Sequence, residues 1–148
     1  DKPDLGVTLE RTELYTSDTS GNVVLRLVNK GTVDIKFLNV KVLQNESLKI
    51  IGADEVYVGK LDSDDFSTAE FKLFVKGKNN VKIPVQVTYK DANNNDYKET
   101  REVELKLYNN SDAKKFGVKK SNNIVWIVIL ALVIAVGYHY YRKMKNKR

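Results

Sequence analysis

The sequence predicts an all-β domain followed by one transmembrane helix, and three observations carry that prediction. Residues 5–108 alternate apolar and polar side chains, the spacing that turns one face of a strand to a core and the other to water. Residues 124–137 read IVWIVILALVIAVG, fourteen positions without a charged or strongly polar side chain. The charge divides along the same line. Residues 1–112 hold sixteen Lys and Arg against nineteen Asp and Glu, a net of −3, whereas residues 113–148 hold nine Lys and Arg and no acid, a net of +9.

The strands are expected in the following order. Residues 6–11 and 22–29 come first, with Val23, Leu25 and Leu27 sharing one face of the second. Asn29-Lys30-Gly31-Thr32 then supplies turn chemistry, because Gly31 is free to take a positive φ. Residues 34–43 set Leu38, Val40 and Val42 against Asn39 and Lys41. A short strand, 55–58, precedes the acidic turn Leu61-Asp62-Ser63-Asp64-Asp65. Residues 66–76 alternate Ala69, Phe71, Leu73 and Val75 against Glu70, Lys72 and Lys76. Residues 81–89 place Val81, Ile83, Val85, Val87 and Tyr89 on one face; Pro84, which cannot donate to a ladder, marks an edge or a bulge there. Residues 91–96 form a polar hairpin loop, and 97–108 close the series with Val103, Leu105 and Leu107 inward.

That makes about seven strands, each with one apolar face, and no amphipathic helix of useful length. Two packed antiparallel sheets bury such faces economically, so an immunoglobulin-like β-sandwich is expected over residues 1–108. The chain has no cysteine, so the disulfide framework of antibody domains is absent and the core alone must hold the fold.

Residues 109–123 (NNSDAKKFGVKKSNN) read as a polar, basic linker, 124–141 as the membrane helix and 142–148 as a basic tail too short to fold. Eighteen residues of helix span about 27 Å, close to the ~30 Å hydrocarbon core of a bilayer, and a helix apolar all round has no face to show to water. Tyr138, His139, Tyr140 and Tyr141 belong at one headgroup level with Arg142 and Lys143 beyond them, and Trp126 marks the opposite interface. Lys114, Lys115, Lys119 and Lys120 precede the helix, but the density of five Lys and Arg in the seven residues after it is higher. The positive-inside bias therefore places the tail in the cytoplasm and the sandwich outside, in a single-pass protein of the cell membrane. Ala131 and Ala135, four apart, would let a partner helix approach closely. Basic residues that flank an apolar helix point to the lipid bilayer as partner rather than to nucleic acid. The chain begins at Asp1 rather than Met, which fits either a removed signal peptide or a trimmed longer chain.

Catalytic chemistry has little to work with. The single histidine, His139, lies at the membrane end, so no Ser-His-Asp or Cys-His arrangement is possible in the folded domain. Glu102 and Glu104 share a strand face expected to be wet. No enzyme activity and no cofactor are expected. Two acidic loops have the oxygen-rich composition that Ca²⁺ takes: Asp62, Asp64 and Asp65, and then Asp91, Asn93, Asn95 and Asp96. The second lacks the glycine and distal glutamate of an EF-hand loop, and Asp and Asn are equally the ordinary residues of turns. Asn45-Glu46-Ser47 and Asn109-Asn110-Ser111 match the glycosylation sequon, at Asn45 and Asn109.

Three motifs carry a resemblance. Val28-Asn29-Lys30-Gly31-Thr32, Val58-Gly59-Lys60-Leu61 and Val87-Thr88-Tyr89-Lys90-Asp91-Ala92-Asn93 follow in the order and rough spacing of archaeal and bacterial surface-layer-like sandwich domains of the CARDB type. The last hairpin departs from that pattern, with Asn93-Asn94-Asn95 where a glycine is usual. The same elements are similar to the lumenal domain of the alpha subunit of the translocon-associated protein complex. The resemblance covers residues 5–108 and implies a non-catalytic, extracytoplasmic domain with a C-terminal anchor. It further implies an accessory subunit bound to an integral membrane protein, such as an ABC-type exporter or the protein-translocation channel. A structural envelope or surface-layer component is the alternative, and a membrane-tethered enzyme or receptor the third.

Overall fold

The alternating segments pair as their patterns require. The computed structural model describes residues 3–77, 80–118 and 124–145, and divides into two compact units, Asp1–Val118 and Lys119–Arg148. In the first unit, β1 (Leu5–Thr12), β2 (Thr19–Asn29), β6 (Phe66–Val75) and β4 (Leu48–Ile50) form one antiparallel sheet in the order β1-β2-β6-β4. The other runs β5-β3-β7-β8, from β5 (Glu55–Leu61), β3 (Ile35–Val42), β7 (Val81–Lys90) and β8 (Asp96–Leu105). The spatial order is that of an immunoglobulin-like sandwich, with sheets of ABED and C′CFG type. The strand in the D place, β4, precedes the strand in the C′ place, β5, so the chain crosses between sheets on each step from β3 to β6.

Leu25, Leu27, Phe71 and Leu73 of the first sheet share one core with Leu38, Val40, Ile83, Val85, Val87 and Leu105 of the second, all 2% exposed or less. Several expectations are corrected. Among the described residues there are eight strands rather than about seven; β4, with three residues, is too short to display alternation. Pro84 lies in an interior strand, and the β7–β8 register passes through it without a bulge. Leu43 N–H donates to the Pro84 carbonyl at 2.9 Å. A residue's N and O point to the same side of an antiparallel strand, so the missing N–H faces the spot just past Val42, where β3 has ended.

The expected linker begins as a helix, α1 (Asn110–Lys115), whose Ala113 is fully buried, so the folded unit extends beyond 108 to Val118. In the second unit the described residues form one helix, α2 (Ile124–Lys145), which runs past 141 into the expected unfolded tail. Its stretch Ile124–Lys143 is long and apolar enough to cross a membrane.

Candidate binding surface

One end of the sandwich gathers the loops 29–35, 61–66 and 90–96, and all three motifs of the sequence fall there. Each is held by a polar side chain. Asn29 is wholly buried: its amide donates to the carbonyls of Val33 (2.9 Å), Leu61 (3.2 Å) and Asp62 (3.1 Å), and its Oδ1 accepts from Gly31 N–H (3.1 Å). Lys60 bridges Asp34, at 3.1 Å, and Asp62. The hydrogen bond from Lys60 holds the Asp34 carboxyl below its usual range, and Asp62 with Asp34 raises Lys60.

Asp91 is 3% exposed and accepts four hydrogen bonds. Oδ1 takes the N–H groups of Asn93 (2.8 Å) and Asn95 (2.9 Å); Oδ2 takes the Asn95 amide (2.9 Å) and the Tyr97 hydroxyl (3.1 Å). These donors, the Asn95 amide first, favour the ionised form and lower its pKa. Both oxygens of this calcium candidate therefore serve the hairpin turn. Asp96 pairs instead with Lys90 at 3.1 Å. In the other acidic loop, Asp62 pairs with Lys60 and Asp65 accepts from Phe66 N–H at 2.8 Å. Among the described residues no three His, Cys, Asp or Glu side chains cluster as metal ligands would.

The same end carries a residue that pattern reading passed over. Against β7, Lys36 pairs with Lys90 and Asn39 with Thr88, so β3 holds one residue more than its partner. The extra residue is Phe37, at φ +52° and 57% exposed. A bulky side chain at positive φ is strained by roughly 1–3 kcal/mol, and bulges of this kind re-aim a side chain. Phe37 walls a cleft of about 260 Å³ with Thr88, Tyr89, Lys90, Asp96, Tyr97 and Lys98. That is below the usual ~300–1,000 Å³ of small-molecule sites and suits one or two side chains of a partner. Behind it Tyr89 and Tyr97 stack at 5.2 Å, and the Tyr89 hydroxyl, its pKa raised by burial, donates to Glu99 at 3.0 Å. The signal was present in the sequence: Ile35 and Leu38 are of opposite parity, and only an extra residue between them lets both point inward.

The remaining candidates lie apart. Asn45 is exposed, though its amide donates to the Lys82 carbonyl at 3.1 Å, and Asn109 caps α1. Glu102 pairs with Lys82 at 2.7 Å on an exposed sheet face, and Glu104 accepts from Asn80 there. On α2, Trp126, Tyr138, His139, Tyr141, Arg142 and Lys143 are exposed, Tyr140 lies in the helix, and Ala131 and Ala135 stand one turn apart.

No family model matches the chain, and no curated protein matches it in sequence. Among solved structures it is similar to the CARDB domain of the PF1109 protein of Pyrococcus furiosus, solved with di-metal ions, at 17% identity, with 68% of this chain and 88% of that chain covered and a TM-score of 0.43. It is also similar to WR4, a C. elegans MSP family member, at 15% identity, with 70% and 96% covered and a TM-score of 0.41. The ASH/PapD-like domain of human CEP192 aligns at 13% identity, with 70% and 84% covered and a TM-score of 0.41.

Proposed function

We propose that this chain is a non-enzymatic, single-pass membrane protein whose sandwich lies outside the cytoplasm and binds an integral membrane protein. The process it serves is a transport or protein-translocation complex, in which it acts as an accessory subunit. The observation that carries the reading is Phe37, a large apolar side chain kept exposed in a strained conformation at the mouth of a small cleft. Such strain persists where it has a use, and an aromatic ring ringed by polar groups is a typical anchor of a protein interface. The apolar α2 supports membrane tethering, which raises the effective concentration of the domain at a membrane partner. The cleft sits at one end of β7 and the chain leaves the sandwich near the other, ten residues or about 30 Å of strand away.

The test is a mild-detergent purification of the intact chain from native membranes, in parallel with Phe37→Asn. A stoichiometric membrane-protein partner, retained by the parent chain and lost by the variant, is the expected result. Equal recovery with both would remove Phe37 from the interface. Recovery with envelope polymers alone would shift the assignment to a structural surface component.

A further inference from the structure

A helix of six residues is far below the ~12 needed for stability in water on its own, so α1 must be held by its surroundings. Asn109 Oδ1 caps it by accepting Asp112 N–H at 2.8 Å, and Gly117, at φ +72°, ends it. Ala113 is buried, Tyr108 N–H donates to the Tyr15 carbonyl at 2.6 Å, and the Tyr108 and Phe116 rings meet edge-on at 5.6 Å. The Lys106 ammonium lies 5.4 Å from the Tyr108 ring. This fixed element turns outward Lys114, Lys115 and Phe116, the last 60% exposed. Its one carboxylate, Asp112, accepts from the Asn109 amide at 2.8 Å. Lys119 and Lys120 follow in the sequence, and five residues separate Val118 from Ile124, a reach of at most about 20 Å.

We infer that α1 is a foot that seats the sandwich on anionic phospholipid headgroups. Phe116 enters the interfacial zone, and Lys114 and Lys115 pair with lipid phosphates. The inference rests on the reading of α2 as a membrane anchor. Residues 1–112 carry a net −3 and are repelled by an anionic surface, so the attraction is confined to the foot and selects one standing orientation. The Phe116 ring touches Tyr108 along one edge and leaves the rest of its surface to water beside Lys114 and Lys115; at a headgroup layer all three groups find partners.

The full chain is reconstituted into vesicles of phosphatidylcholine, alone or mixed with phosphatidylglycerol, with bromine placed on the acyl chains. Trp126, the sole tryptophan, reports whether α2 is inserted. Phe116→Trp in a Trp126→Phe background reports the foot. The expected result is quenching and a blue shift of the F116W emission that strengthen with phosphatidylglycerol, and a loss of that gain in K114E/K115E, by about fivefold per lysine in the seated fraction. Far-UV circular dichroism checks that each variant keeps its strands. Trp126 quenched in the parent chain while F116W emission stays at the water-exposed position would overturn the foot alone. A shift independent of phosphatidylglycerol would assign Phe116 to the protein rather than to lipid. Trp126 unquenched would overturn the anchor and the foot together.

Discussion

Replacing Asn29 tests whether the loop end is held by one buried amide. Asn29→Ala deletes the donor that reaches the Leu61 carbonyl in a buried setting, which costs about 1–3 kcal/mol. It also removes the contacts to Val33, Asp62 and Gly31, which are partly accessible to water and add roughly 1 kcal/mol together. A total of about 2–4 kcal/mol is a large part of the 5–15 kcal/mol available to a small domain. Asn29→Asp preserves shape but turns a carboxylate toward three carbonyl oxygens, so it must cost more than Asn29→Ala. Protonation relieves that clash: the introduced carboxyl has a raised folded-state pKa, so the excess penalty is smallest below pH ~4 and grows as the pH rises. The assay is urea unfolding of residues 1–118, the unit that carries the core, followed by circular dichroism at pH 3.5 and pH 7. An Asn29→Asp loss at pH 7 equal to or smaller than that of Asn29→Ala would refute the donor role and leave only packing.

Three further outcomes follow from the geometry. Phe37→Asn, which suits positive φ, should leave the midpoint of unfolding unchanged or raise stability by about 0.5–1 kcal/mol, even as partner capture is lost; a clear loss of stability would mean that the ring is packed rather than displayed. Asp91 has a folded-state pKa lowered from 3.8, so the stability it lends is present above that value and lost as the pH falls below it; the protection of the Asn93 and Asn95 amides, relative to their intrinsic exchange rates, should fall there in the parent chain. Asp91→Ala should show that low protection at every pH. Ile129→Arg places a charge midway along the apolar stretch at about 2.5–3.5 kcal/mol, and carbonate extraction should release the protein from membranes if α2 spans them.

The core was legible because its period is simple. Every residue expected inward on β2, β6 and β7 is buried, since strands of eight or more residues give alternation room to register. What escaped was set by contacts between distant positions. β4 exists because β6 offers it a partner at Leu73–Val75. α1 exists because Ala113 finds a place against the sandwich, and its caps, Asn109 and Gly117, read equally well as loop residues. Pro84 signals an edge or a bulge; there is no bulge against β8, and the relevant edge is the end of β3, which no local pattern could place. Asp91 and Asn29 read as turn residues; that Asn29 is a buried hub depends on a loop 32 and more residues away, whereas Asp91 gathers its donors from its own hairpin. Phe37 needed the parity conflict between Ile35 and Leu38 to be taken as a bulge rather than as noise.

The outer strand β8 carries two charged side chains on its inward face. Glu99 and Arg101 pair at 2.7 Å where Val103 and Leu105, further along the same face, are buried. A second sheet that tried to add to this border would have to strip water from both ions, a penalty no backbone ladder of that length readily offsets. Confinement to a plane would multiply encounters between identical copies, and open sheet borders are where such copies fuse. On a chain tethered as proposed, β8 is thus one border that an identical neighbour cannot readily extend by a strand.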